Sequence, residues 1–425
     1  MKVAVFWFRR DLRLQDNTAF YHALQGKVKV LPIFIFDDRI LNELPKNDPR
    51  VNFIYDTLKN INATLQEFDC SLLVLKGDPL AVWNKLLKSY SIERVYVNED
   101  YEPYGIQRDD EVQRLLTKAG VEFKGYQDHV IQHPSAILKN DGTPYTVYTP
   151  YKRKWLEEFK PISVHPKMGA ANLLAKQFPF PDRLALGIEE SAIKVLPFSL
   201  DKLDSYGEQR DFPAMNCSSK LGPHLRFGTI SPRQVILQLQ PINEVFLSEL
   251  IWREFFIQIL YHFPKVVSEN FKPKYNGIKW RNNAADFEKW KKGETGYPLV
   301  DAGMKELNET GYMHNRVRMI TAGFLCKHLM INWQWGEAYF AEKLLDFELA
   351  SNNGNWQWSA GTGCDAAPYF RIFNPSAQLS KFDSRQEYIN KWLPGIKKGT
   401  YPLPMVDHVF ARLRALASYK EGLKM

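Results

Sequence analysis

Over the first 125 residues, short apolar runs alternate with longer amphipathic stretches. Apolar runs of this length fit strands buried on both faces, and the stretches between them fit crossover helices. Strands are predicted at Val3–Phe8, Val28–Phe36, Ser71–Leu75, Arg94–Val97 and Val121–Lys124. Helices are predicted near Asn17–Leu24, Val51–Glu67, Pro79–Ser89 and Ile106–Ala119. From Tyr126 to Leu200 the periodicity weakens, and Pro134, Pro144, Pro150, Pro161, Pro166, Pro179, Pro181 and Pro197 interrupt it. That stretch predicts an inter-domain connection with one helix near Tyr151–Phe159. Beyond Leu200 the period is helical almost throughout. Ser231-Pro232 reads as an N-cap followed by proline at the first helical position. Ser248 reads as the cap of a helix through ELIWREFFIQIL. The expected organisation is an α/β domain at 1–125, a linker at 126–200 and an all-helical domain at 201–425.

No GxGxxG follows the first strand; FRRDLRLQDN stands there instead. The sheet is Rossmann-like in pattern but lacks the usual glycine-rich dinucleotide turn. Charge adds a second asymmetry. The chain carries a net +8, of which residues 201–425 hold +6 (29 Lys and Arg against 23 Asp and Glu). A polyanionic partner therefore belongs on the helical half, although the same charge also serves solubility. Cys70, Cys217, Cys326 and Cys364 are far apart and show no metal-ligand spacing, so no metal and no disulfide framework are expected. The opening MKVAVFWFRRDLR has no signal-peptide core, and VLPIFIF is too short to span a bilayer. A reducing cytoplasm and no membrane partner are the expectation.

Candidate chemistry gathers in the helical half. The stretch Leu345–Pro375, LDFELASNNGNWQWSAGTGCDAAPYFRIFNP, combines core-like aromatic content with site-like polarity. Such a mixture suits a large, flat, polar-edged ligand beside electron-rich rings. Trp356 and Trp358 are two apart, so on a helix their rings point to opposite sides, one inward and one toward a surface cavity. Asn352 lies over the same face as Trp356. In ELIWREF, Glu249 and Trp252 share a face, with Arg253 one step round. In HNRVRMI, Asn315, Arg316 and Met319 share a face and Arg318 turns away, placed to form a buried pair with Asp346. Taken singly, each helix also fits core rings with solvated charges.

Nearly the whole chain, from FRRDLRLQDN to WLPGI, resembles the DNA photolyase and cryptochrome family. The likeness is strongest through WREFF, TGYPLVDAGMKEL, GYMHNRVRMITAGFL and the Leu345–Pro375 stretch, and points to the class I enzymes that repair cyclobutane pyrimidine dimers. The resemblance implies an antenna-type α/β domain followed by an all-helical FAD-binding domain. It implies that Tyr206, Ser218, Ser219, Lys220 and Leu221 hold the FAD phosphates and ribose. Arg318, Asp346, Glu348 and Asn352 would surround the isoalloxazine, with Glu249, Trp252, Arg253 and Asn315 also bordering the cofactor. The dimer would meet Arg210, Glu249, Trp252, Asn315, Arg316, Met319, Trp358 and Arg371. Trp356, Trp333 and Trp280 would relay electrons from flavin to surface, and Glu249 and Asn352 would act in the chemistry itself.

A cyclobutane dimer opens when it accepts one electron, and in this family light-excited, reduced FAD is the donor. The neutral amide of Asn352 suits a reduced anionic flavin. Arg316 and a protonated Glu249 would stabilise charge on the dimer, the latter through a pKa raised by desolvation. Photolyases are among the base-flipping enzymes. Lys272, Lys274, Lys279, Arg281 and Arg371 are the expected phosphate contacts. Ultraviolet-damaged DNA is the expected partner and a monomer the expected state. Lys220, Gly222, Phe347 and Glu348 depart from more frequent Arg, Ser, Gly and Asp in relatives. Tyr104-Gly105 replaces the Asn-Glu pair of folate-using members, which leaves a second antenna chromophore, deazaflavin or folate, open. The alternative reading is a cryptochrome-type blue-light receptor without repair, which would often carry Asp or Cys at the Asn352 position and a long tail; a six-four photolyase would show a His pair near Asn315.

Overall fold

The computed structural model describes residues 2–166, 172–215, 217–239, 243–396 and 401–424. The chain forms two compact units: one of 1–136, 159–198 and 220–242, the other of 137–158, 199–219 and 243–425. The stretch expected as a linker is thus divided between both units, apart from 167–171, which lie outside the described residues.

The first unit holds strands β1 (Lys2–Phe8), β2 (Lys29–Asp37), β3 (Leu73–Gly77), β4 (Ser91–Asn98) and β5 (Glu122–Tyr126). They make a fully parallel sheet in the order β3-β2-β1-β4-β5. Its helices are α1 (Thr18–Leu24), α2 (Asp38–Leu41), α3 (Pro49–Gln66), α4 (Pro79–Ser89) and α5 (Pro103–Lys118). Side chains alternate along β1: Ala4, Phe6 and Phe8 enter one core, Val3, Val5 and Trp7 the other. This two-residue period is why the strand reads as a continuous apolar run. Asp48 and Asp78 each cap a helix that begins with proline.

The remaining helices are α6 (Tyr148–Glu158), α7 (Tyr206–Gln209), α8 (Leu221–Arg226), α9 (Pro232–Gln238), α10 (Glu244–His262), α11 (Ala284–Lys292), α12 (Pro298–Thr310) and α13 (Asn315–Gly323). After them come α14 (Trp333–Lys343), α15 (Leu349–Ala360), α16 (Pro375–Phe382), α17 (Glu387–Trp392) and α18 (His408–Gly422). All but α8 and α9 belong to the second unit. Those two return to the sheet unit, where Arg233 pairs with Asp16 at 3.0 Å and Asp128 at 2.7 Å, and Arg226 with Glu102 at 2.7 Å. The expected single helical domain from 201 onward is corrected to that extent. The Ser231 cap is present as a capping box with Gln234. Ser248 does not cap its helix: α10 starts a turn earlier, with the Asn243 side chain accepting from the Phe246 amide. No helix among the described residues is long and apolar enough to cross a membrane.

Candidate functional site

Two glycines set the position of α15 in the second unit. A Cβ at Gly354 would stand 2.1 Å from the Phe256 ring of α10, and one at Gly336 would stand 2.1 Å from the Trp356 ring. Each glycine therefore lets α15 lie directly against a neighbouring helix. The helix also packs on α13. Trp356 is buried while Trp358 stays half-exposed, as their two-residue spacing requires.

The residues expected around the ring lie on or beside this helix and on the helices packed against it. Arg318 forms two parallel bonds to Asp346, at 3.2 and 2.9 Å. The pair is half-buried, with 27% and 20% side-chain exposure, in place of the fully buried pair expected. Arg253 bonds Glu348 at 2.8 Å, and Ser351 donates to the same carboxylate. The Asn352 side-chain nitrogen donates to the Glu337 carbonyl at 3.1 Å. A carbonyl can only accept, so the amide orientation is set and Oδ1 points elsewhere. Among the described residues no donor reaches that oxygen. Glu337 itself is a half-buried acid whose carboxyl is pushed up to about 7 by desolvation, against one bond from Asn353 at 3.1 Å. A buried amide with its acceptor left over, one helical turn after Glu348, fits a flat heterocycle with N–H groups on its edge. Of the expected phosphate set, Tyr206, Ser218 and Ser219 lie in the second unit and Lys220 and Leu221 in the first. Lys220 adopts a left-handed conformation, φ 56°, just before α8.

The residues expected to meet the dimer lie in the same unit. Arg210 is bonded to Glu249, and its neighbour Asp211 pairs with Arg316 at 2.5 Å. Burial pushes the Glu249 carboxyl above its ordinary value, opposed by the Arg210 guanidinium. The desolvation expected at Glu249 is thus present, and a paired cation, not anticipated from the sequence, works against it. Trp252 and Met319 are half-buried and Asn315 is exposed, so the shared faces inferred from spacing are open rather than core. Arg371 is exposed, and its carbonyl accepts from the buried Lys327 amine at 3.0 Å. Among the expected phosphate contacts, Lys279 is paired with Glu421 and Arg281 with Asp286, at 3.1 and 3.3 Å. Lys272, Lys274 and Arg371 have no ion pair among the described residues.

Trp333 is buried, with its indole N–H on Asn270 at 2.8 Å, and Trp280 is half-exposed against Tyr419. Three residues that touch this site escaped the sequence reading. Glu337 is a single acid on an unremarkable helix. Lys327 sits in a π-helical turn, Phe324–His328, an element that recurs at functional sites. Tyr148 lies in the proline-rich stretch that read as a connection. The only signal there was the apolar spacing of Tyr148, Tyr151 and Trp155, all buried on one face of α6.

Comparison with known proteins finds matches in both halves of the chain. Residues 4–170 match the family described as DNA photolyase, and residues 246–399 match the FAD binding domain of DNA photolyase. The deoxyribodipyrimidine photo-lyase of Halobacterium salinarum is 36% identical, over 98% of this chain and 99% of its own. A bacterial class III photolyase from Agrobacterium tumefaciens superposes with a TM-score of 0.89 at 33% identity, over 100% of this chain and 98% of its own. The Sulfolobus tokodaii photolyase, solved with two FAD molecules, gives 0.87 at 34% identity, over 98% and 99%. The chain belongs to the DNA photolyase family.

Proposed function

We infer that this chain is a deoxyribodipyrimidine photo-lyase: it binds FAD and uses light to split cyclobutane pyrimidine dimers in damaged DNA. The observation that carries the reading is Asn352, whose amide is turned by Glu337 so that its oxygen is left for a ligand, on the helix that directly follows Asp346 and Glu348 of the two arginine pairs. Identity of 36% across the full length of a photo-lyase supports the same conclusion. When bound, reduced FAD supplies the light-absorbing electron source; the protein supplies position and electrostatics.

Arg318, Asp346 and Asn352 orient the ring, and Arg253 holds Glu348 where the carboxylate borders it. Trp252, Met319 and Trp358 offer apolar faces to the two linked bases of a flipped dimer, which offsets the few kcal/mol or so lost on unstacking. Arg210 and Arg316 bring positive charge to the place where the dimer carbonyls accumulate negative charge. Trp356, Trp333 and Trp280 form the relay between interior and surface. The enzyme works as a monomer on ultraviolet-damaged DNA. The second FAD of the Sulfolobus relative, with its implied light-harvesting role, supports a search for a second chromophore here.

The test compares illuminated and dark samples of the reduced protein with an oligonucleotide containing one thymine dimer. Loss of the dimer only in light is the expected result. Bound FAD with no light-dependent loss would favour the signalling reading.

A further inference from the structure

Tyr148 opens α6, a helix that neither the motifs nor the matched FAD-binding segment includes. Its ring lies flat on Trp252, with centroids 3.6 Å apart and planes 6° from parallel. Phe255 stands at right angles to both rings, at 80° to Tyr148 and 85° to Trp252. The Tyr148 hydroxyl donates to the Ser248 carbonyl at 2.8 Å, one residue before Glu249. Lys152, one turn further along α6, bonds the Ser248 hydroxyl at 2.6 Å. The Tyr148 amide donates to Asp365 at 3.0 Å, in the loop that leads to Arg371. One largely buried residue thus contacts α10 and the Arg371 loop, and backs a tryptophan that is itself half-exposed.

We propose that Tyr148 is a positioning residue for the damaged-DNA site: its ring holds the Trp252 plane, and its amide and hydroxyl hold Asp365 and Ser248 on either side. An indole free to change rotamer would lose side-chain entropy on clamping a flipped lesion. An indole already pinned by a parallel ring has lost that freedom in the unliganded protein. A covered face also limits the lesion to the remaining surface of Trp252, which narrows the geometry of the complex. The role requires a flat ring at 148; the hydroxyl is secondary. The inference rests on the reading of Trp252 as a lesion contact.

The experiment measures binding of dimer-containing and intact duplex in the dark for wild type, Tyr148→Phe and Tyr148→Leu, with FAD content and thermal midpoint alongside. Leucine keeps most of the apolar volume but not the plane. Tyr148→Leu is expected to bind the dimer about five- to tenfold more weakly, as loss of one aromatic pair predicts, with intact-duplex affinity and FAD content unchanged. Tyr148→Phe is expected to restore dimer binding. At saturating DNA, repair per absorbed photon is expected to match wild type in both. Equal dimer binding by Tyr148→Leu and wild type overturns the role. So does a parallel fall in FAD content and in binding to both duplexes, which would mark a merely structural residue. A wild type that does not distinguish the two duplexes would instead bring down the repair reading itself, and this inference with it.

Discussion

Glu337 shows at a single residue how the candidate site is held. Its backbone turns Asn352, while its side chain sits in a medium that disfavours charge. The folded chain keeps the carboxyl proton up to about 7, whereas an unfolded chain releases it near the ordinary value of 4.5. Between those values the folded state binds more protons, so this group makes stability fall as pH rises. A shift of that size corresponds to about 3 kcal/mol at most. Glu337→Gln, neutral throughout, should therefore gain on wild type in thermal midpoint between about pH 5 and about pH 8, and keep its level above that range. Parallel midpoint curves for the two proteins would refute the raised carboxyl. The residue scale also shows where spacing falls short. Periodicity placed Glu249 and Trp252 on one face of a helix, and they are. It could not reveal that Arg210, 39 residues earlier, is bonded to Glu249, because that contact depends on how the intervening chain turns.

At the scale of elements, close approach of helices decides the site. Gly336 receives the Trp356 ring, so Gly336→Ala should push α14 and α15 apart. The expected cost is about 1–3 kcal/mol, read as a lower unfolding midpoint together with lower FAD content; an unchanged protein would show that the two helices have slack. The return of α8 and α9 to the sheet unit rests on Arg233. Its removal leaves the buried Asp16 short of its cation and Asp128 with Arg13 alone. Arg233→Ala should destabilise by about 3–5 kcal/mol, measured by denaturant unfolding, and a loss under about 1 kcal/mol would mean water replaces the pair. Strand and helix positions followed closely from the apolar pattern, since both faces of the sheet are covered and the central strands β1 and β2 are apolar along most of their length. The start of α10 did not, because Ser248 and Asn243 are both acceptable caps and only packing of Phe246 and Leu247 into the core selects the earlier one.

For the whole molecule, the charge excess on the helical half bears on DNA binding. Lys272, Lys274 and Arg371 are available for phosphates, while Lys279 and Arg281 are already partnered. Binding should weaken steeply as salt is added, and neutralising any one of the three available cations should flatten the salt slope by about 1. The same change at Lys279 should alter the slope less; an equal effect would show that its pairing with Glu421 gives way to DNA. The linear order of residues by itself determined a parallel α/β half, a helical half, the run of α15 with its two divergent tryptophans, and the kinship to photolyases. These depend on local period and on contiguous motifs, which are written in neighbouring positions. Only the tertiary structure decided that 220–242 belongs with the sheet, that Arg210 and Arg316 are already committed to Glu249 and Asp211, and that Tyr148 lies on Trp252. Each of those contacts joins residues on elements far apart in the chain, and its energy is settled by burial and geometry that no local pattern encodes.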